Sequence, residues 1–290
     1  MQAVRSILVV LDPDDRDHAR SRALTRAKLI AGVTGARLHL LICDKKHDHS
    51  ARLAELHGKL RDDGFDEVTH EQTWHDTLHE SIIKVQEAEG CELVIKEHRP
   101  DNPLKKALLT PSDWKLLRFC PCAVLMVKSE RPWTGGVILA AVDVGNQDDD
   151  HRRLHADIID HGYAIAGLAK GHLHVVSAHP SPMLSASDPV YQLSETIDKR
   201  YREACSAFQA EYDISEDRLH VEEGPADVLI PHFEKALDAV VTVIGTVART
   251  GITGALIGNT AEVVLDSLKG DVLVLKSEEA TAHLAELARG

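Results

Sequence analysis

No apolar run in the 290-residue chain approaches the ~20 residues needed to cross a bilayer, so membrane insertion is not expected. Basic charge is also scarce. The 33 Lys and Arg face 46 Asp and Glu, a net charge of −13 with histidines neutral. Phosphate backbones demand the opposite balance, which argues against general nucleic-acid binding. Residues 1–6 pass directly into an apolar strand pattern, so no secretory leader is read and the expected compartment is the cytoplasm. The five cysteines form an odd set at irregular spacing, as buried thiols would rather than a disulfide framework. Neither Cys-x-x-Cys nor His-Glu-x-x-His occurs, and no carboxylate pair or Ser-His-Asp order can be argued from spacing. No catalytic residue is therefore assigned.

What is present is one unit written twice. Val4 to Asp12 matches Gly135 to Asp143, each an apolar strand ending in aspartate. Leu38-His39-Leu40 matches Leu173-His174-Val175, Leu93–Ile95 matches Val241–Val243, and Ala123–Lys128 matches Asp271–Lys276. The offset is 131 at the first pair, 135 at the second and 148 at the last two, so the second half carries about 17 extra residues, mostly around Pro180 to Tyr201. Four matched strands in one order point to duplication.

Helical patterns separate the strands. Leu154, Ile158, Ile159, Tyr163, Ile165 and Ala166 share a face, with Gly167 and Gly171 as stop signals. Asp76 is the expected cap of the helix carrying Leu78, Ile82, Ile83 and Val85, and Pro225 is expected in the first turn of another. Alternating strands and helices predict an α/β fold of two tandem, open, parallel five-stranded sheets with helices on both faces. The units are expected at 1–130 and 136–278, with a tail at 279–290. The short junction Ser129–Gly136 predicts two closely docked units. Unpaired, the apolar last strands of the halves would expose edges.

The most informative stretch is Val240 to Glu262. An apolar strand meets a glycine-rich loop, then a helix opening at Asn259-Thr260. Glycine permits close backbone approach, and unpaired N–H groups at a helix start attract anions. The loop is neither a P-loop nor a dinucleotide fingerprint, because the Lys-Ser/Thr pair and Gly-x-Gly-x-x-Gly are both absent. The first half has no glycine between Lys96 and Ala107, and Pro100, Pro103 and Pro111 remove N–H donors.

The spacing Gly245, two residues, Ala248, nine residues, Gly258, Asn259 resembles the nucleotide-binding signature of universal stress proteins. With the duplicated strands, the chain from Val4 to Lys276 resembles the tandem members of that family, of the bacterial UspE type. The resemblance implies sheets of order 3-2-1-4-5, as in adenine nucleotide alpha hydrolase-like folds, and a stress-response role. It also implies ATP or a related adenine nucleotide at the carboxyl ends of strands 1 and 4, where open α/β sheets bind ligands. Carried over by position, Asp143 would lie near adenine or ribose, with Ser177 and Ala178 beside the base. Gly245, Thr246, Ala248 and Arg249 would approach ribose and phosphates, and Gly258, Asn259 and Thr260 would hold the phosphate end. Ala248 and Asn259 depart from the family's Gly and Ser/Thr. In the first half Glu97, Pro100, Thr110 and Pro111 stand at the signature positions, so that loop is degenerate and ATP is not expected there.

Histidines number 18, and His47, His49 and the i, i+4 pair His75 and His79 could ligate a metal, but no supporting motif accompanies them and a metal is not expected. Cys120-Pro121-Cys122 reads as packing before a buried strand, not a redox centre. Two functional classes remain. One is a non-catalytic or weakly ATP-hydrolysing stress protein holding a nucleotide in its second half; the other binds an apolar small molecule or partner protein instead. Self-association is compatible with either.

Overall fold

The computed structural model describes residues 4–15, 17–99, 110–146, 148–179, 194–246 and 259–289. The first half runs β1 (Ser6–Leu11), α1 (Arg22–Thr34), β2 (Arg37–Cys43), α2 (Ser50–Asp62), β3 (Val68–Thr73), α3 (Leu78–Ala88), β4 (Leu93–Glu97), α4 (Pro111–Phe119) and β5 (Ala123–Val127). The second repeats that order as β6 (Val137–Ala141), α5 (Asp149–Ala169), β7 (His172–His179), α6 (Ser194–Tyr212), β8 (Leu219–Glu223), α7 (Ala226–Ala236), β9 (Val241–Thr246), α8 (Asn259–Ser267) and β10 (Asp271–Lys276). The residues expected as a tail form a further helix, α9 (Glu278–Arg289).

Each half has the expected parallel order 3-2-1-4-5, but the two sheets are one. β5 pairs antiparallel with β10, Leu125 opposite Leu273, giving the ten-stranded order β3-β2-β1-β4-β5-β10-β9-β6-β7-β8. The reason is visible in the strands. Both are fully apolar between their ends, and pairing removes two edges that would otherwise expose unpaired backbone. Antiparallel joining also points the carboxyl ends of the two halves' strands at opposite edges of the sheet, so the two potential ligand sites lie far apart.

Strand side chains alternate between faces. Ile7, Val9 and Leu11 join the core beneath α1, α2, α5 and α6, while Leu8 and Val10 join the core beneath α3, α4 and α8. Helix ends differ in detail from expectation. Thr77, not Asp76, caps α3, its hydroxyl accepting from the Glu80 N–H; threonine in extended backbone places its oxygen over the first turn. Pro225 is itself the N-cap of α7. Helix α5 runs through Gly167 and stops at Lys170, which takes the left-handed cap conformation (φ 52°) that Gly35 (φ 70°) takes at the end of α1.

A buried ion cluster ties the halves. Asp271, with 0% exposure, pairs with Arg26 at 2.8 Å and accepts from Trp133 Nε1 at 2.8 Å. It also accepts from the backbone N–H groups of Lys128 and Ser129, both at 2.9 Å. Among the described residues no helix is long and apolar enough to cross a membrane.

Candidate functional site

The second half's candidate site is at the carboxyl ends of β6 and β9, neighbours on either side of the reversal in strand order. Beyond β6 the chain turns sharply. Asp143 Oδ1 accepts from the Gly145 N–H at 3.2 Å, and the Asp143 carbonyl accepts from Asn146 at 3.0 Å. Ser177, buried near the end of β7, accepts from the Val144 N–H at 3.2 Å and holds the turn to the neighbouring strand. Helix α5 contributes His155, whose Nε2 accepts from the Asp143 N–H at 3.3 Å. Burial, and then the nearby His151, pushes the His155 pKa down to about 4, so it is neutral near pH 7 and able to accept that bond. Desolvation raises the Asp143 carboxyl above the ordinary aspartate range.

The residues assigned to nucleotide contact fare differently. Asp143, Ser177 and Ala178 do come together at adjacent strand ends, joined by the Val142 N–H to Val176 carbonyl bond at 3.0 Å. Gly245 has an internal reason to be glycine. A Cβ there would meet Leu154 Cδ2 at 2.6 Å and Ile158 Cδ1 at 2.8 Å, so its absence lets α5 close on β9. The Thr246 hydroxyl donates to the Leu275 carbonyl at 3.3 Å, within the sheet. Asn259 and Thr260 open α8 as expected, while Ala248, Arg249 and Gly258 lie outside the described residues.

Two participants had no clear signal in the sequence. His155 is one apolar-face position among several on α5. Tyr201, on α6 at the end of the inserted stretch, covers the turn after β6: a Cβ on Gly145 would lie 2.4 Å from its hydroxyl. Its ring also packs on His179 at 5.0 Å. Only the close approach permitted by glycine could have hinted at this neighbour.

At the matching place in the first half, the strand ends are closed by charge. Arg99 Nε lies 2.8 Å from Asp12 and 3.4 Å from Glu97, and its Nη2 lies 3.2 Å from Asp15. Glu97 in turn holds Arg22 at 2.6 Å. The start of α4 is equally self-contained, with Thr110 and Asp113 forming a reciprocal capping box behind Pro111. Asp113 also binds Lys96 at 2.7 Å and His98 at 2.8 Å.

A separate groove of about 860 Å³ lies where the amino ends of β1, β4 and β5 meet the carboxyl end of β10. Cys91, Cys122, Leu275 and Lys276 are among its lining. Cys120 and Cys122 are free thiols with sulfurs 3.6 Å apart. His79 on α3 bonds the hydroxyl of Thr77, the cap of that helix, at 2.8 Å, in another environment from His47 and His49.

The duplicated fold, with its strand-end sites, defines a tandem α/β protein of the stress-protein kind, and comparison identifies it. Residues 3–128 and 137–276 each match the universal stress protein family, and the chain belongs to it. It is 31% identical to Universal stress protein E of Escherichia coli over 96% of each chain. A crystal structure of a protein of unknown function from Pseudomonas aeruginosa is 64% identical and covers 99% of this chain and 98% of its own, with a TM-score of 0.91. A universal stress protein from Archaeoglobus fulgidus shares the fold at 16% identity, covering 94% of this chain and 99% of its own, with a TM-score of 0.60.

Proposed function

We propose that this is a cytoplasmic stress-response protein whose second unit (136–278) binds ATP or a related adenine nucleotide, while the first (1–130) does not. The observation that carries the reading is the contrast at the strand ends. Glu97 and Arg99 occupy the first half's switch point with a self-satisfied ion network, whereas position 245 is glycine and brings no charge to the second. Asp143, turned by its own Asx bond and backed by His155 and Ser177, supplies a carboxylate for base or ribose. Asn259 starts a helix whose first N–H groups suit a phosphate. The role we propose is nucleotide binding, with at most slow hydrolysis.

The groove of about 860 Å³ favours a second reading, an apolar small molecule held between the halves. Protein purified without added nucleotide, denatured and analysed by absorbance and mass spectrometry separates the two. Released adenine nucleotide, with ATP binding of one equivalent per chain by calorimetry, is expected. A different retained molecule and no ATP heat would overturn the nucleotide reading.

A further inference from the structure

A second cluster of chemistry-bearing side chains lies in the first half, at the carboxyl end of β2. Asp44 follows the strand directly, and the loop then returns through His47 to His49, the residue before α2. Asp44 Oδ2 stands 3.0 Å from His47 Nδ1 and 2.9 Å from His49 Nε2. Among the described residues this is the one grouping of three His, Cys, Asp or Glu donors within 4.8 Å of one another. Tetrahedral ligands about 2.1 Å from zinc are about 3.4 Å apart; the two Asp44–His separations fall about half an ångström short of that, and the His47 and His49 nitrogens lie within 4.8 Å of each other.

The loop is built to hold these donors. Gln72 on β3 accepts from the His49 N–H at 2.7 Å and donates to the carbonyls of Asp44 at 3.1 Å and His47 at 2.6 Å. The Lys46 N–H donates to Asp44 Oδ1 at 2.7 Å, leaving Oδ2 to the histidines. Such outer contacts orient metal ligands. An independent observation concerns two neighbouring rings. His49 and His18 are each only 5% exposed; His49 Nδ1 and both nitrogens of His18 have no hydrogen-bond partner. Buried imidazole nitrogens are normally satisfied; the unpartnered Nδ1 of His49 leaves the ring away from the Nε2 that faces Asp44, so these nitrogens lie beside the ligand set and are not members of it. His18 lies near enough to Asp15, Arg52, His49 and Asp12 to feel their charges.

We propose that Asp44, His47 and His49 bind one zinc(II) ion, with a fourth position left for water. Two imidazoles and one carboxylate suit a borderline ion better than the all-oxygen sets of magnesium or calcium. This site stands apart from the second half's nucleotide site, which lies at the opposite edge of the sheet.

The test uses the full chain stripped with chelator and titrated with cobalt(II), whose tetrahedral complexes have intense visible bands, followed by competition with zinc(II). One cobalt per chain is expected, with at least tenfold weaker binding in Asp44→Asn, His49→Gln and His47→Gln. The double change His75→Gln, His79→Gln should leave binding unaltered. His47 is largely exposed, so its variant keeps the fold even where His49→Gln does not. Absence of a saturable first equivalent, or unchanged affinity in His47→Gln and Asp44→Asn, overturns the proposal.

Discussion

Strands β4 and β9 occupy matching places in the two halves and differ most where they end. The first finishes Lys96-Glu97-His98 and surrounds itself with Arg99, Asp12, Arg22 and Asp113; the second finishes Ile244-Gly245-Thr246. Charge in the first half satisfies charge, down to a helix start whose donors are taken by its own capping box. The second half replaces that network by close packing, with α5 pressed on Gly245. A duplicated fold therefore does not imply a duplicated site. What distinguishes the halves is whether the strand-end groups find partners within the chain.

The sharpest way to break the comparison is at the seam between halves. Asp271 begins β10, and its counterpart 148 positions earlier is Ala123. Only the former reaches across, to Arg26, Trp133 and two backbone donors. Asp271→Ala leaves the buried Arg26 without its partner and should cost about 3–5 kcal/mol. Urea unfolding checks this. A cost near zero would mean that the β5–β10 ladder and its apolar packing hold the halves without the ion pair.

The second expected effect sets the acid sensitivity of the first half against that of the second. Burial alone would raise the Asp113 carboxyl, but the His98 hydrogen bond and the Lys96 ammonium outweigh it and hold it at about 2. A folded-state pKa below the unfolded one adds stability that is full above the unfolded value, about 3.9, and is lost as pH falls toward 2. The loss should be about 2 kcal/mol between those limits. The second half has Ile244, Thr246 and Ala261 at the matching positions and contributes no such term. Unfolding midpoints measured across this range in the parent and in Asp113→Asn should differ in slope; parallel slopes would remove Asp113 as the acid-labile link.

Much of this was legible in the sequence for a simple reason: hydrophobic alternation and strand-to-strand offsets are local. The strands start as the offsets imply, Ser6 against Val137, Arg37 against His172, and Leu93 against Val241. Contacts between distant residues were not legible. Nothing near Arg99 announces Asp12, and nothing near Gly145 announces Tyr201. Gly245 shows the limit most clearly. Its neighbours in sequence suggested ligand approach, yet its missing Cβ serves Leu154 and Ile158. Histidines carried the least signal, since Asp44 meets His47 and His49 only through a loop fastened by Gln72 on another strand.

The smallest effects decide the functional comparison, and they come as a pair. Gly258→Val would put a β-branched side chain where phosphate is proposed to rest and would disfavour positive φ. ATP affinity should fall at least tenfold, about 1.4 kcal/mol or more, without loss of the fold. At the matching position of the first half, Thr110→Val removes the hydroxyl that accepts from Asp113 N–H at 3.2 Å. That should cost about 1 kcal/mol of stability, as lost helix caps do, and leave ATP affinity unchanged. Calorimetric titration and urea unfolding of both variants separate the outcomes. Equal loss of affinity from either change would place nucleotide in both halves. No loss from Gly258→Val would mean that the glycine spacing, like Gly245 itself, serves packing rather than phosphate.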